Sequence, residues 1–210
     1  TYLWSYYEPF VFVTPAKDQS DKLTFAHEFG HFCNDFASAG SMAGIDVAEV
    51  FSQAMEYLSL CYTGAPEELV WLKMADCLST YVEQAAYAEF ELRLYRLGEE
   101  ELTGEKLLAL YEQVGTDYGF RSLRWDPRDM VTIPHFYETP MYVISYVVSN
   151  DAAMQLYEME LNAPGTGAAC FGEHLTTEAA GFLEFLNEAE LKSPFGRIEE
   201  VKGIMEGYFG

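Results

Sequence analysis

The chain has 210 residues, 50% of them hydrophobic, which is enough for one sizeable core and suggests a single domain over 1–210. A formal net charge of −22 and an isoelectric point near 4.3 leave no basic stripe to displace counterions from a phosphate backbone, so nucleic acid is not an expected partner. No apolar run approaches the length of a transmembrane helix and the N-terminus lacks a signal-peptide pattern, so no membrane partner is expected.

In chain order, the β-branched and aromatic stretch 9–14 ends at Pro15 and reads as a strand, followed by a polar turn at 16–20. A helix is predicted over 21–37, in which Leu23, Phe25, Phe29 and Phe32 suggest a buried element. The glycine-rich bend 39–44 returns the chain into a second helix over 46–62, stopped by Gly64 and Pro66. A long scaffold helix follows over 66–97, with Pro66 in its first turn, Glu67 and Glu68 at the positive end of its dipole and Gly98 closing it. Thr103 can cap a helix reaching 114, and 118–130 is loop-like. Thr139 and Pro140 read as the N-cap and first residue of a helix running to 161; a turn at 162–167 and helices over 177–189 and 198–208 complete the chain. No repeat or low-complexity linker divides it. The expected fold is mainly α, with a small N-terminal β element before the helix over 21–37.

The chemistry concentrates in His27-Glu28-Phe29-Gly30-His31. Two histidines four apart lie on one face of a helix, one turn above the other, where both imidazoles can reach one ion. The chain has only 4 histidines and two fall in this pentapeptide, which argues against coincidence. Glu28 lies beside them, placed to take a proton from zinc-bound water. A zinc catalyst needs a third protein ligand, and Glu49 in the following helix is the best candidate. Glu56, seven residues on, shares that face and is expected to accept a hydrogen bond from a ligand histidine, fixing its tautomer. One zinc ion per chain is the expected cofactor.

Three stretches in this order resemble the thimet oligopeptidase and oligoendopeptidase F group of zinc peptidases, most of all the oligoendopeptidase F branch. They are His27-Glu-Phe-Gly-His31, Val47-Ala-Glu-Val-Phe-Ser-Gln53 with Glu56, and Ile133-Pro-His-Phe-Tyr137 leading into Met141-Tyr-Val-Ile-Ser-Tyr146. The resemblance implies a zincin-like helical catalytic domain and endopeptidase action on short unstructured peptides. It also places a histidine and tyrosines, here His135, Tyr142 and Tyr146, as donors to the oxygen that gains negative charge in the transition state. Tyr137, in the same stretch, is a weaker candidate for that role, and His174 receives none. The chain departs from the family at Asn34, where members often carry a further histidine. It departs also in length, since it corresponds to the C-terminal catalytic portion of far longer enzymes; a missing N-terminal portion or a second chain is expected to complete the cleft. A zinc aminopeptidase and a non-catalytic peptide-binding fragment are the alternative readings. Cys33, Cys61, Cys77 and Cys170 are scattered without a Cys-x-x-Cys pair and read as buried thiols, which favours the cytoplasm.

Overall fold

A computed structural model describes residues 2–40, 44–62, 64–120 and 125–210. Within the bend expected at 39–44 and the loop expected at 118–130, residues 41–43 and 121–124 lie outside the described residues. The fold is mainly α, as expected. The only sheet among the described residues pairs β1 (Tyr2–Leu3) with β2 (Glu8–Pro9) antiparallel, Tyr2 opposite Pro9 and Leu3 opposite Glu8. The strand expected at 9–14 is therefore corrected: beyond Pro9 the stretch joins no ladder, and β-propensity without a partner strand does not make a strand. Among the described residues no helix is long and apolar enough to cross a membrane.

The contacts divide the chain into two compact units, Thr1–Leu78 with Val148–Gly210, and Ser79–Val147. In the first unit, α1 (Ser20–Ala37) packs on α2 (Ile45–Tyr62). Val47, Val50, Phe51, Ala54 and Tyr57 make one wholly buried face of α2. The Phe51 ring meets Phe171 of α8 (Thr166–His174) at 5.6 Å and Phe185 of α9 (Phe182–Glu188) at 5.9 Å, both edge to face. Polar groups are also buried here, and several pair across helices. Gln53 Nε2 donates to Ser149 Oγ at 2.8 Å and the Tyr57 hydroxyl to Asn150 Oδ1 at 3.0 Å, tying α2 to α7 (Val143–Asn162).

The α1 surface differs from the expected buried helix. Leu23 is buried, but Phe25 is 55% and Phe29 39% exposed, and both belong to a stacked row with Phe32 and Phe36. The thiols differ too: Cys77 and Cys170 are buried, Cys33 is half-buried and Cys61, near the end of α2, is exposed. Helix α8 falls where the sequence reading placed only a turn and its aftermath. Gly165, at φ 94°, does make a turn, whereas Gly167 lies against the Leu156 carbonyl, where a side chain would not fit. That second glycine serves helix packing, a use that looks the same in sequence. The last helix, α10 (Ile198–Phe209), falls where expected.

The scaffold helix is one helical run in three parts: α3 (Glu67–Ser79), a π-helical turn at Thr80–Gln84 and α4 (Ala85–Leu94). The second unit is built on α4 and α5 (Gly104–Asp117), the latter capped by Thr103, whose hydroxyl accepts from the Lys106 N–H at 3.3 Å. Trp125 stacks on Tyr111 at 4.4 Å and Phe120 at 4.8 Å, and its Nε1 donates to the Tyr111 carbonyl at 2.7 Å. Pro127–Thr132 is a 3₁₀ segment, and α6 (His135–Glu138) is a single turn. The helix expected from Thr139 instead begins at Val143. Met141 takes a left-handed conformation at φ 62°, which cannot continue a right-handed helix, and its N–H donates to Glu91 Oε1 at 2.8 Å.

Candidate metal centre

His27 and His31 project from one side of α1, their rings 5.0 Å apart and nearly perpendicular. Helix α2 brings Glu49 to them: its Oε2 lies 3.6 Å from His27 Nε2 and 3.7 Å from His31 Nε2. The close approach depends on Gly30, which sits directly against the backbone of Phe51 and Ser52. The glycine between the histidines thus has a packing reason. These three residues each offer one ligand atom within 4.8 Å of one another. Tetrahedral zinc with bonds of about 2.1 Å sets its ligand atoms about 3.4 Å apart, so the donor set fits with small adjustments. Three protein ligands leave a fourth position for water or substrate.

The surroundings hold two of the donors. Glu49 is 2% exposed, and Ser52 Oγ lies 2.9 Å from its Oε2, one turn along α2. His27 Nδ1 is 2.7 Å from Glu56 Oε1, the hydrogen bond expected from the sequence. The other carboxylate oxygen of Glu56 accepts from Lys73 Nζ, also at 2.7 Å. Burial pushes Glu56 up, but the Lys73 ammonium and the His27 hydrogen bond outweigh it and hold the carboxyl below its ordinary value. Burial likewise pulls His27 down, while the Glu56 hydrogen bond and the Glu56, Glu49 and Glu28 charges leave it above its ordinary value. For His31 burial wins, and it lies below. Glu28 is half-buried on α1 and, among the described residues, makes no hydrogen bond or ion pair, so its carboxylate is uncommitted.

Asn34, where the family often has a histidine, is buried one turn beyond His31 and donates to the Leu175 carbonyl at 2.9 Å, tying α1 to the end of α8. His174 faces its own helix, with Nδ1 2.8 Å from the Cys170 carbonyl.

His135, Tyr142 and Tyr146 gather in the second unit. The His135 ring is 4.9 Å from Tyr142 and 5.8 Å from Tyr146, the two tyrosines are 5.1 Å apart, and the Tyr146 hydroxyl lies 3.4 Å from His135 Nε2. Tyr137 is exposed, its hydroxyl 3.3 Å from the Met130 carbonyl. Sequence reasoning missed Ser52 and Lys73. A single lysine in the apolar run Leu69 to Met74 was the available signal for Lys73; Ser52 at three residues from Glu49 was the signal for the other.

A comparison with protein-family models gives no match. A curated relative, an oligoendopeptidase F homolog of Borreliella burgdorferi (strain ATCC 35210 / DSM 4680 / CIP 102532 / B31), is 29% identical, over 68% of this chain and 27% of the relative. The chain thus spans little more than a quarter of that protein. Among solved structures, a protein assigned as an oligoendopeptidase F superposes on 97% of this chain and 39% of its own, with TM-score 0.85 and 19% identity. PZ peptidase A with an inhibitor superposes on 99% of this chain and 40% of its own, with TM-score 0.84 and 20% identity. The resemblance carried by the three sequence stretches is borne out in sequence and in fold.

Proposed function

We propose that this chain is the catalytic portion of a zinc-dependent endopeptidase of the oligoendopeptidase F type, acting on short unstructured peptides. The observation that carries the reading is the convergence of His27 Nε2, His31 Nε2 and Glu49 Oε2 beside an uncommitted Glu28. Zinc held by these three would act as a Lewis acid on a peptide carbonyl and bring the pKa of water toward about 7. Glu28 takes the proton of the attacking water on its carboxylate and returns it to the leaving amine, so that the amine departs neutral. His27 keeps its proton on Nδ1, held by Glu56, which leaves the Nε2 lone pair for the metal. The family resemblance supports a role for His135, Tyr142 and Tyr146 as donors to the carbonyl oxygen as it gains charge.

The likeness to oligoendopeptidases, of which this chain spans only part, supports the substrate class. A further portion or a second chain completes the peptide-holding cleft, and the chain alone binds peptides weakly, since orientation supplies much of the rate. A cytoplasmic setting belongs to the same proposal and rests on the scattered cysteines. Mass-spectrometric mapping of products from a random peptide pool, with and without a chelator, tests the reading. Internal cleavage that stops with chelator and returns with zinc is expected. Release of single N-terminal residues would establish the aminopeptidase alternative, and no metal-dependent cleavage would refute the enzyme.

A further inference from the structure

We propose that Lys73 is a positioning residue for the metal centre: its ammonium clamps Glu56, and Glu56 in turn holds His27 with its proton on Nδ1 and its Nε2 lone pair free for the metal. The inference rests on the zinc reading above and extends it to a helix that looked like scaffold.

The contacts form an unbroken chain across three helices. Lys73 Nζ on α3 is 2.7 Å from Glu56 Oε2 on α2, Glu56 Oε1 is 2.7 Å from His27 Nδ1 on α1, and His27 Nε2 is 3.6 Å from Glu49 Oε2. The two oxygens of one carboxylate are thereby divided between one cation and one imidazole, which fixes the rotation of the carboxylate as well as its position. Lys73 is only 1% exposed, and the Asp76 carboxylate at 3.2 Å and the face of Tyr57 at 4.5 Å also lie beside its ammonium. An ammonium so placed can reorient little.

Stability alone does not account for such a residue. A buried ion pair commonly contributes no more than an apolar pair of the same shape, because the desolvation of both charges offsets their attraction. What the pair supplies here is direction. Glu56 without Lys73 keeps a hydrogen bond on one oxygen only and is free to turn about its side-chain torsions. His27 then loses a fixed acceptor on Nδ1, and neither the ring angle nor the tautomer is specified. A histidine carrying its proton on Nε2 presents no lone pair there.

The test compares the parent with Lys73→Met, Glu56→Gln and the double variant, each in the full chain. Two quantities are read: zinc affinity, by competition with a chromophoric chelator, and the His27 tautomer in the metal-free protein, from long-range ¹H–¹⁵N spectra of the imidazoles. Lys73→Met should lose about 10- to 100-fold in zinc affinity, the usual effect of removing an outer partner of a metal ligand. In the neutral ring, read at a pH where it carries one proton, its His27 should pass from a single Nδ1–H tautomer to a mixture. The double variant should bind zinc no worse than Glu56→Gln, because Lys73 acts through Glu56; losses that add would overturn the proposal. So would parental affinity and a parental tautomer in Lys73→Met. Should that variant not fold, the double variant, which leaves no unpaired buried charge at this pair, decides against Glu56→Gln: zinc binding no weaker than in Glu56→Gln supports the proposal, and a further loss beyond it overturns it. The zinc reading fails separately. A parent that binds no zinc, or a His31→Ala variant that binds it undiminished, refutes the ligand set, while the tautomer of metal-free Lys73→Met still tests the clamp.

Discussion

Gly30 sits so close to Phe51 that a Cβ built on it would lie 2.4 Å from the Phe51 carbonyl oxygen and 2.6 Å from the Ser52 Cα. The two helices that carry the proposed ligands touch backbone to backbone at the glycine between the histidines. The distance from the histidines to Glu49 is set there.

Gly30→Ala must therefore push α1 away from α2. The expected cost is about 1–3 kcal/mol, the usual result of overpacking, because the clashing atoms are backbone and cannot rotate aside. Zinc content should fall with it, as Glu49 is carried off with α2. Gly172→Ala on α8 is the contrast: a Cβ there meets nothing within 4 Å. In a helix interior that exchange should stabilise by up to about 1 kcal/mol. Denaturant unfolding with zinc analysis checks both. Equal effects from the two substitutions would remove the packing argument.

Ligand and base should separate on mutation. His31→Ala leaves two of three donors and should lose most of its zinc, whereas Glu28→Gln touches no donor and should keep it. The second variant should nevertheless lose roughly two to four orders of magnitude in turnover, the usual worth of general acid–base catalysis. Metal analysis alongside peptide kinetics distinguishes them. Near-parental turnover in Glu28→Gln would take this carboxylate out of the mechanism.

What the sequence conveyed about this site was local and periodic. Two histidines four apart declare one helix face, and Glu49 and Glu56 seven apart declare another, so the proposed ligand set and a hydrogen bond from one of its histidines to Glu56 could be read before any coordinates. Lys73 could not, because its meaning depends on where a third helix lies, and by composition it is one lysine in an apolar run. The errors have the same origin. Residues 9–14 have strand propensity but no partner in a ladder, and Phe25 and Phe29 fit a core pattern yet face outward. Thr139-Pro140 has the form of a helix start, but a tertiary contact from Glu91 to the Met141 N–H sets a different turn. Glycine was the most ambiguous letter: Gly165 bends the chain, while Gly30 and Gly167 bring helices together.

The hydroxyls of Tyr142 and Tyr146 can be removed one at a time while keeping the rings that pack against His135. If each donates to the developing oxyanion, its Phe variant should lower kcat with little change in KM. Peptide kinetics with parallel unfolding curves decide the matter. A variant that loses stability but keeps kcat would assign that tyrosine to packing alone.

The turn that leads into Tyr142 depends on Glu91, and this gives the last prediction. Glu91 is wholly buried, and its Oε1 accepts the N–H of Met141, a residue held at φ 62° without the freedom of glycine. Burial raises the Glu91 pKa, and the opposing pull of the Met141 N–H, the His135 charge and the Tyr95 hydroxyl does not cancel it. A carboxyl whose pKa is higher in the folded chain than in the unfolded one favours folding most when protonated. Its contribution is complete below the ordinary carboxylate value and is lost as pH rises through the raised one. Glu91→Gln keeps an oxygen for Met141 and has no charge to bury, so it should match or exceed the parent at neutral pH and remove that pH-dependent loss. Glu91→Ala leaves the Met141 N–H without its acceptor and should cost about 1–3 kcal/mol. Unfolding curves of the three proteins across the acid range are the measurement. If Gln destabilises as much as Ala, the charge itself holds the turn, and the His135 side of the contact rather than the Met141 hydrogen bond becomes the reason a carboxylate is buried there.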